Sequence, residues 1–119
     1  MSKLQADTIA TRDGAASTAM LNAINGSAKA WVSFNGTGTI AIRSGFNVSS
    51  LTDLAAGSWQ VNFATAMVDV LYSAYTSVDN NQFGAIGTCA TTSVSVTAVS
   101  RIDTDGLVDT ANVNISVYR

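Results

Sequence analysis

An all-β fold is predicted, and three observations predict it. First, apolar side chains recur with a period of two: Trp59, Val61 and Phe63 alternate with Gln60 and Asn62, and Val113, Ile115 and Val117 alternate with Asn112, Asn114 and Ser116. That period places the large groups on one face of a pleated strand. Second, turn-forming Gly, Asn and Asp residues separate these runs at short intervals, as in sandwiches and barrels. Third, charge is scarce. Charged residues are 12% of the chain, against roughly 25% in ordinary globular proteins. Ser and Thr supply 28 of the 119 residues, all eight acids are Asp, and Pro and His are absent. The architecture expected is a compact antiparallel β-sandwich, or open barrel, forming a knob preceded by an extended N-terminal arm.

The arm covers residues 1–27 and the knob residues 28–119. Within the arm, Asp13-Gly14 and Asn25-Gly26-Ser27 are turn signals. Ala15 to Ile24 is rich in Ala and Met and long enough for about two helical turns, too few to be stable alone. Its apolar anchors, with those before it, are Leu4, Ile9, Met20, Leu21 and Ile24. Such a segment orders by lying on another surface, or else remains a tail.

In the knob, Ala30 to Phe34 reads as a strand. Asn35-Gly36-Thr37-Gly38 reads as a hairpin turn with positive φ at its centre. Thr39 to Arg43 returns, and Phe46-Asn47-Val48 is a third short piece. Trp59 to Phe63, Val70 to Ser77, Phe83 to Cys89, the Val94/Val96 run and Val113 to Val117 complete about seven strands. The polar faces carry Ser, Thr, Asn and Gln in place of charges. Such faces can meet an identical neighbour without like-charge repulsion, so self-association is expected. A monomer with an uncharged polar surface is the competing reading.

Catalytic chemistry is not expected. Without His there is no usual general base, no triad imidazole and no common zinc ligand. Gly36-Thr37-Gly38 lacks the Lys of a phosphate-binding loop. Asp103-Thr104-Asp105-Gly106, with Asp109 near it, faintly resembles a calcium loop but has no closing Glu; a turn is the simpler reading. Asp53 and Asp69 have nothing in the sequence to bring them together as a glycosidase pair. Cys89 is alone and reads as a small buried hydrophobe. Six scattered basic residues make no stripe for phosphates, and no apolar run nears the roughly 20 residues that span a bilayer. No cofactor, metal, nucleic acid or membrane partner is expected, and the first residues lack a secretory apolar core.

Trp31, Phe34, Trp59, Val61 and Phe63 are expected in the core or in a contact between subunits. Trp31, Trp59, Tyr72, Tyr75 and Tyr118 are also the side chains able to stack on sugars, Tyr75 being the better placed for recognition.

Residues 28–39, Ala-Lys-Ala-Trp-Val-Ser-Phe-Asn-Gly-Thr-Gly-Thr, resemble the "AKAWVNFNGTGT" segment of a recurrent tailed-phage and prophage domain. The resemblance continues through Ala41-Ile42-Arg43, Phe46 to Asp53, Val61 to Met67 and the final Val113 to Arg119 strand, about two-thirds of the chain. Val68 departs from the family, in which Pro often follows the Thr-Ala-Met run. Members of that family are tail-fibre or fibre-head domains, and the resemblance implies a trimeric, β-rich, non-enzymatic part of a virion surface. The chain shows no heptads and no shaft repeat. A short arm on a compact knob therefore fits a capsid decoration (cement) protein, with Leu4, Ile9, Met20, Leu21 and Ile24 docking on the major capsid protein or another virion protein. The alternative is a short tail-fibre head, with receptor loops at Tyr75, Asp79, Asn80, Asn81, Asp103 and Asp105.

Overall fold

The computed structural model describes residues 6–79, 82–100 and 106–119. Among these, the elements run β1 (Thr8–Ala10), β2 (Ser17–Ala19), α1 (Met20–Gly26), β3 (Ala28–Asn35), β4 (Ala41–Phe46), β5 (Val48–Ala55), β6 (Ser58–Phe63), β7 (Ser73–Val78), β8 (Gln82–Cys89), β9 (Ser93–Ser100) and β10 (Val113–Tyr118). Eight strands form two four-stranded antiparallel sheets, ordered β4-β3-β10-β7 and β5-β6-β9-β8, while β1 and β2 pair only with each other. The chain is an all-β sandwich, as the alternation predicts.

The core follows from that alternation. Strand β3 buries Ala30, Val32 and Phe34; β6 buries Trp59, Val61 and Phe63; β9 buries Val94, Val96 and Ala98; β10 buries Val113, Ile115 and Val117. These four central strands face one another across the sandwich, with Phe34 set edge-on to Trp59 at 5.7 Å between ring centroids. Each large side chain buried there stabilises the fold by about 1.5–3 kcal/mol. The flanking strands contribute less: every residue of β4 is exposed, and β5 keeps only Val48 and Leu51 partly covered.

Crossings between the sheets depend on particular residues. Asn47 joins β4 to β5 with φ 56°, a left-handed conformation that Asn tolerates. Its side-chain amide donates to the carbonyls of Lys29 (3.0 Å) and Thr65 (3.1 Å), and its Oδ1 accepts from Thr65 N at 2.7 Å. Asn47 thus clasps the start of β3 to the loop after β6. Sequence alone read Phe46-Asn47-Val48 as one short piece. In the structure it is a corner, and β5 runs on to Ala55 without the alternation that would have revealed it.

Two other expectations are corrected. Asn35-Gly36 is not a tight turn with positive φ at its centre; residues 36–40 form a longer loop, and of these Gly38 has the positive φ, at 57°. Gly36 serves close approach. Its N–H donates to Thr110 O at 2.9 Å, and a Cβ there would lie 2.4 Å from Trp59 Cζ2. The run Val70 to Ser77 becomes strand only at Ser73, because Asp69 Oδ1 accepts from Leu71 N (2.8 Å) and turns the chain first. That loop sends Met67 and Tyr72 into the core. The Tyr72 hydroxyl lies 2.9 and 3.0 Å from the carbonyls of Ala90 and Ser93. Burial pushes its pKa up, and the neighbouring Cys89 side chain adds to the shift. Cys89 itself is half-buried and free.

Residues 6–26 are not an extended segment. They form a hairpin followed by a helix, and they bury no residue. The Asp13-Gly14 turn makes the hairpin: Gly14 has φ 72°, and Asp13 Oδ1 accepts from Thr11 Oγ1 (2.6 Å) and Ala15 N (3.0 Å). Those bonds hold the Asp13 carboxyl below its usual pKa, Thr11 most strongly. Ser17 to Ala19, expected as helix, pair with β1 instead, so the helix starts late, where Met20 N donates to Asp7 O at 2.8 Å. Lys29 of β3 donates from Nζ to Ile24 O and, at 3.2 Å, to Ser27 O. A cation at the carboxyl end of a helix is favourable. The radius of gyration is 17.1 Å and the long axis 54 Å, against about 13–14 Å for a compact chain of this length.

Candidate functional site

The outer face of the β4-β3-β10-β7 sheet carries the most organised cluster of exposed side chains. In β3 the residues that alternate with the core are Lys29, Trp31, Ser33 and Asn35; in β10 they are Asn114, Ser116 and Tyr118; in β7, Ser73, Tyr75 and Ser77. Strand register then sets them in rows. Phe46 pairs with Trp31, Trp31 with Ser116, and Ser116 with Tyr75, giving one row across four strands. The next row is Ser44, Ser33, Asn114 and Ser77. Directly opposed residues share a face, so the first row is aromatic and the second hydroxylic and amidic.

Between Trp31 and Tyr75, β10 presents only Ser116. The small side chain leaves a trough of about 320 Å³, lined by Trp31, Ser33, Tyr75, Ser77, Asn114 and Ser116 together with the residues between them in the same strands. Trp31 is 41% exposed, Tyr75 61% and Phe46 54%. The Tyr75 ring packs edge-on to Tyr118 at 6.0 Å between centroids. Asn114 Nδ2 donates to Ser77 Oγ at 3.3 Å. Among the described residues, no hydrogen bond engages the hydroxyls of Ser33 or Ser116 or the Oδ1 of Asn114. None of the residues lining the trough is charged.

The charges on and beside this face are committed elsewhere, Lys29 to the carbonyls of Ile24 and Ser27. Arg43 donates to Phe34 O (3.3 Å) and to Asn112 Oδ1 (2.7 Å). Asn112 donates to Asp79 from both its side chain (2.6 Å) and its backbone (3.0 Å), and Thr110 Oγ1 donates to Asp79 at 2.9 Å. The Asn112 amide, then Thr110, holds the Asp79 carboxyl below its usual pKa.

This geometry revises several candidate residues. Phe34, Trp59, Val61 and Phe63 are core. Trp31 is not; it stands on the opposite face of its strand. Tyr75 lies mid-strand in β7, not in a loop. Asp79 clamps the loop before β10 with both oxygens and has little capacity left for a ligand. Asp109, near the suspected calcium loop, accepts from Gly57 N at 2.8 Å and fastens the β5–β6 turn. Leu4, Asn80, Asn81, Asp103 and Asp105 lie outside the described residues. Ile9, Leu21 and Ile24 are exposed at 47%, 65% and 51%, and Met20 is partly covered. Asp53 and Asp69 do not meet as a pair: Asp53 stands opposite Trp59, and Asp69 is bound by Arg119. Among the described residues no cluster of three His, Cys, Asp or Glu side chains forms a metal site, and no helix is long and apolar enough to cross a membrane.

What the trough residues missed in the sequence was there to be read: Trp31 alternates with Ala30 and Val32 and therefore shares the face of Lys29 and Ser33. Their assembly into rows was not, because register between distant strands leaves no local trace. No family model matches the chain, and neither does any curated protein.

Proposed function

We propose that the chain is a non-catalytic structural protein of a tailed-phage virion surface, a homotrimeric capsid decoration (cement) protein docked by its N-terminal segment. The observation that carries this reading is the hairpin–helix of residues 6–26. It buries nothing of its own, exposes Ile9, Leu21 and Ile24, and is fastened to the sandwich by Lys29. Such a unit gains its stability by covering another surface, at roughly 25 cal/mol per Å² of apolar area. In a trimer three such units act together, so weak single contacts become tight. The exposed Val68 and Leu71, 84% and 75% accessible, supply apolar surface for association of the knobs. The phage assignment and the trimer rest on the sequence resemblance.

A second reading, a short tail-fibre head that recognises the host surface, draws on the aromatic trough. Copy number separates the two. Quantitative mass spectrometry of intact virions is expected to find this protein in numbers comparable to the major capsid protein. A count of only a few trimers per particle overturns decoration and favours the tail.

A further inference from the structure

We infer that the trough between Trp31 and Tyr75 is a binding site for a neutral saccharide. The inference goes beyond capsid docking and does not depend on where in the virion the protein sits. Four observations carry it, and each concerns a different property of the ligand.

The first is shape. Trp31 and Tyr75 stand two strand positions apart with Ser116 between them. Strand spacing sets their backbones roughly 10 Å apart, leaving a slot for one ring of pyranose size. The trough's 320 Å³ falls at the lower end of the range of about 300–1,000 Å³ for small-ligand sites.

The second is the chemistry of the walls. An aromatic ring has a negative face. A pyranose presents polarised C–H bonds on one face and hydroxyls around its rim, so it stacks with its C–H face on the ring. The third is the floor. Ser33, Ser116 and Asn114 offer two hydroxyls and an amide oxygen with no hydrogen bond among the described residues, where the rim of a stacked sugar would reach. The fourth is charge. No charged side chain lines the trough; Lys29, on the same face, is bound to the carbonyls of Ile24 and Ser27, and Arg43 and Asp79 are bound into one network with Asn112. A phosphate, sulfate or sialic acid would have no counter-ion there.

A second copy of the chain suits the trough less well. Apolar side chains pressed into it would strip water from Ser33, Ser116 and Asn114 without replacing the hydrogen bonds. The trough also spans only three strands, far short of the about 800 Å² that each partner gives to a stable interface.

The two tryptophans supply an internal control. The full chain, labelled with ¹⁵N, is titrated with methyl β-D-glucopyranoside, methyl β-D-galactopyranoside, N-acetylglucosamine and lactose. The Trp31 indole N–H resonance is expected to shift saturably with at least one of these, with a Kd of millimolar order for a single ring. The Trp59 indole, buried in the core, stays in place. Trp31→Ala and Tyr75→Ala each weaken binding at least about tenfold, with thermal stability unchanged because both side chains are outside the core. No saturable shift with any of the four sugars overturns the proposal. That result joined to a second, Trp31→Ala turning an oligomer of the wild type into monomers, assigns this face to contact between copies instead.

Discussion

Gly36 shows how one missing side chain can shape a core. Its φ is unremarkable; what matters is that Trp59 and the Thr110 carbonyl occupy the space a Cβ would take, at 2.4 and 2.9 Å. Gly36→Ala must move either the indole or the backbone of the loop before β10, and overpacking of this kind costs about 1–3 kcal/mol. Thermal denaturation is expected to show a clear fall in Tm for this variant. Gly26→Ala, at the open end of the helix with nothing within 4 Å, is the control and is expected to change Tm little. An unchanged Tm in Gly36→Ala would mean the loop yields freely. A second residue-scale effect depends on pH. Arg119 binds Asp69 through two bonds, at 2.8 and 2.7 Å, and holds its pKa at about 2, against 3.8 ordinarily. The folded state therefore favours the ionised carboxylate. Its stabilisation is fully present above the ordinary value and is lost as the pH falls through the folded one. Both partners are over a third exposed, so the contribution is small. Asp69→Asn is expected to flatten the Tm profile between about pH 4 and pH 2, where the wild type declines. Equal slopes in the two proteins would remove the pair from the acid response.

At the scale of elements, the residues that alternate cleanly are also the ones that were legible. The central strands β3, β6, β9 and β10 bury every second side chain, and their patterns in the sequence mark them and much of the core. The flanking strands are exposed on both faces in whole or in part, so β5 leaves no period to read and β4 only a weak one. The N-terminal hairpin was missed for a related reason. It is three residues per strand, has no buried face, and is set by the Asp13-Gly14 turn and by the bond from Met20 N to Asp7 O, neither of which is a hydrophobic signal. Since residues 6–26 bury no side chain, their removal is expected to leave the sandwich intact. A chain beginning at Ser27 should keep its near-ultraviolet circular dichroism and nearly all of its Tm, while losing cosedimentation with capsids. Retention of capsid binding would place the docking surface on the knob. A collapse of Tm would mean that the bonds from Lys29 to the helix end support the sandwich itself.

The whole molecule combines a low-charge surface with exposed apolar side chains outside the trough, Val68, Leu71, Leu54 and Phe83 among them. Composition alone pointed to association, and these positions give it a location to test. Val68 and Leu71 belong to the loop that also carries Asp69, beside the corner at Asn47. The variant Val68→Asp, Leu71→Asp places two carboxylates where copies would meet. Light scattering coupled to gel filtration is expected to show the wild type as an oligomer and this variant as a monomer with unchanged secondary structure. An oligomer that persists would move the contact to another surface, with the aromatic row of Phe46 and Trp31 the next to test. The trough itself exists only at this scale. Each of its side chains is visible in the alternation of one strand, but their meeting depends on β10 lying between β3 and β7, and so on pairings between residues far apart in sequence, such as Trp31 with Ser116 and Ser116 with Tyr75.

That pairing has one more consequence. Tyr118 stands opposite Ala28, so the sandwich starts and finishes on adjacent strands, about 5 Å apart. A ring closed by a short Gly-Ser bridge from Arg119 to Ala28 would cross almost no distance. New ends could then be opened at Gly38, an exposed residue whose added Cβ would meet nothing within 4 Å. Such a circular permutant of the knob, made without the N-terminal hairpin and helix, keeps every ladder of both four-stranded sheets and carries any fused cargo at the end of β3 opposite Ala28. The knob is thus a module whose first and last strands lie side by side and whose opposite end is open to fusion.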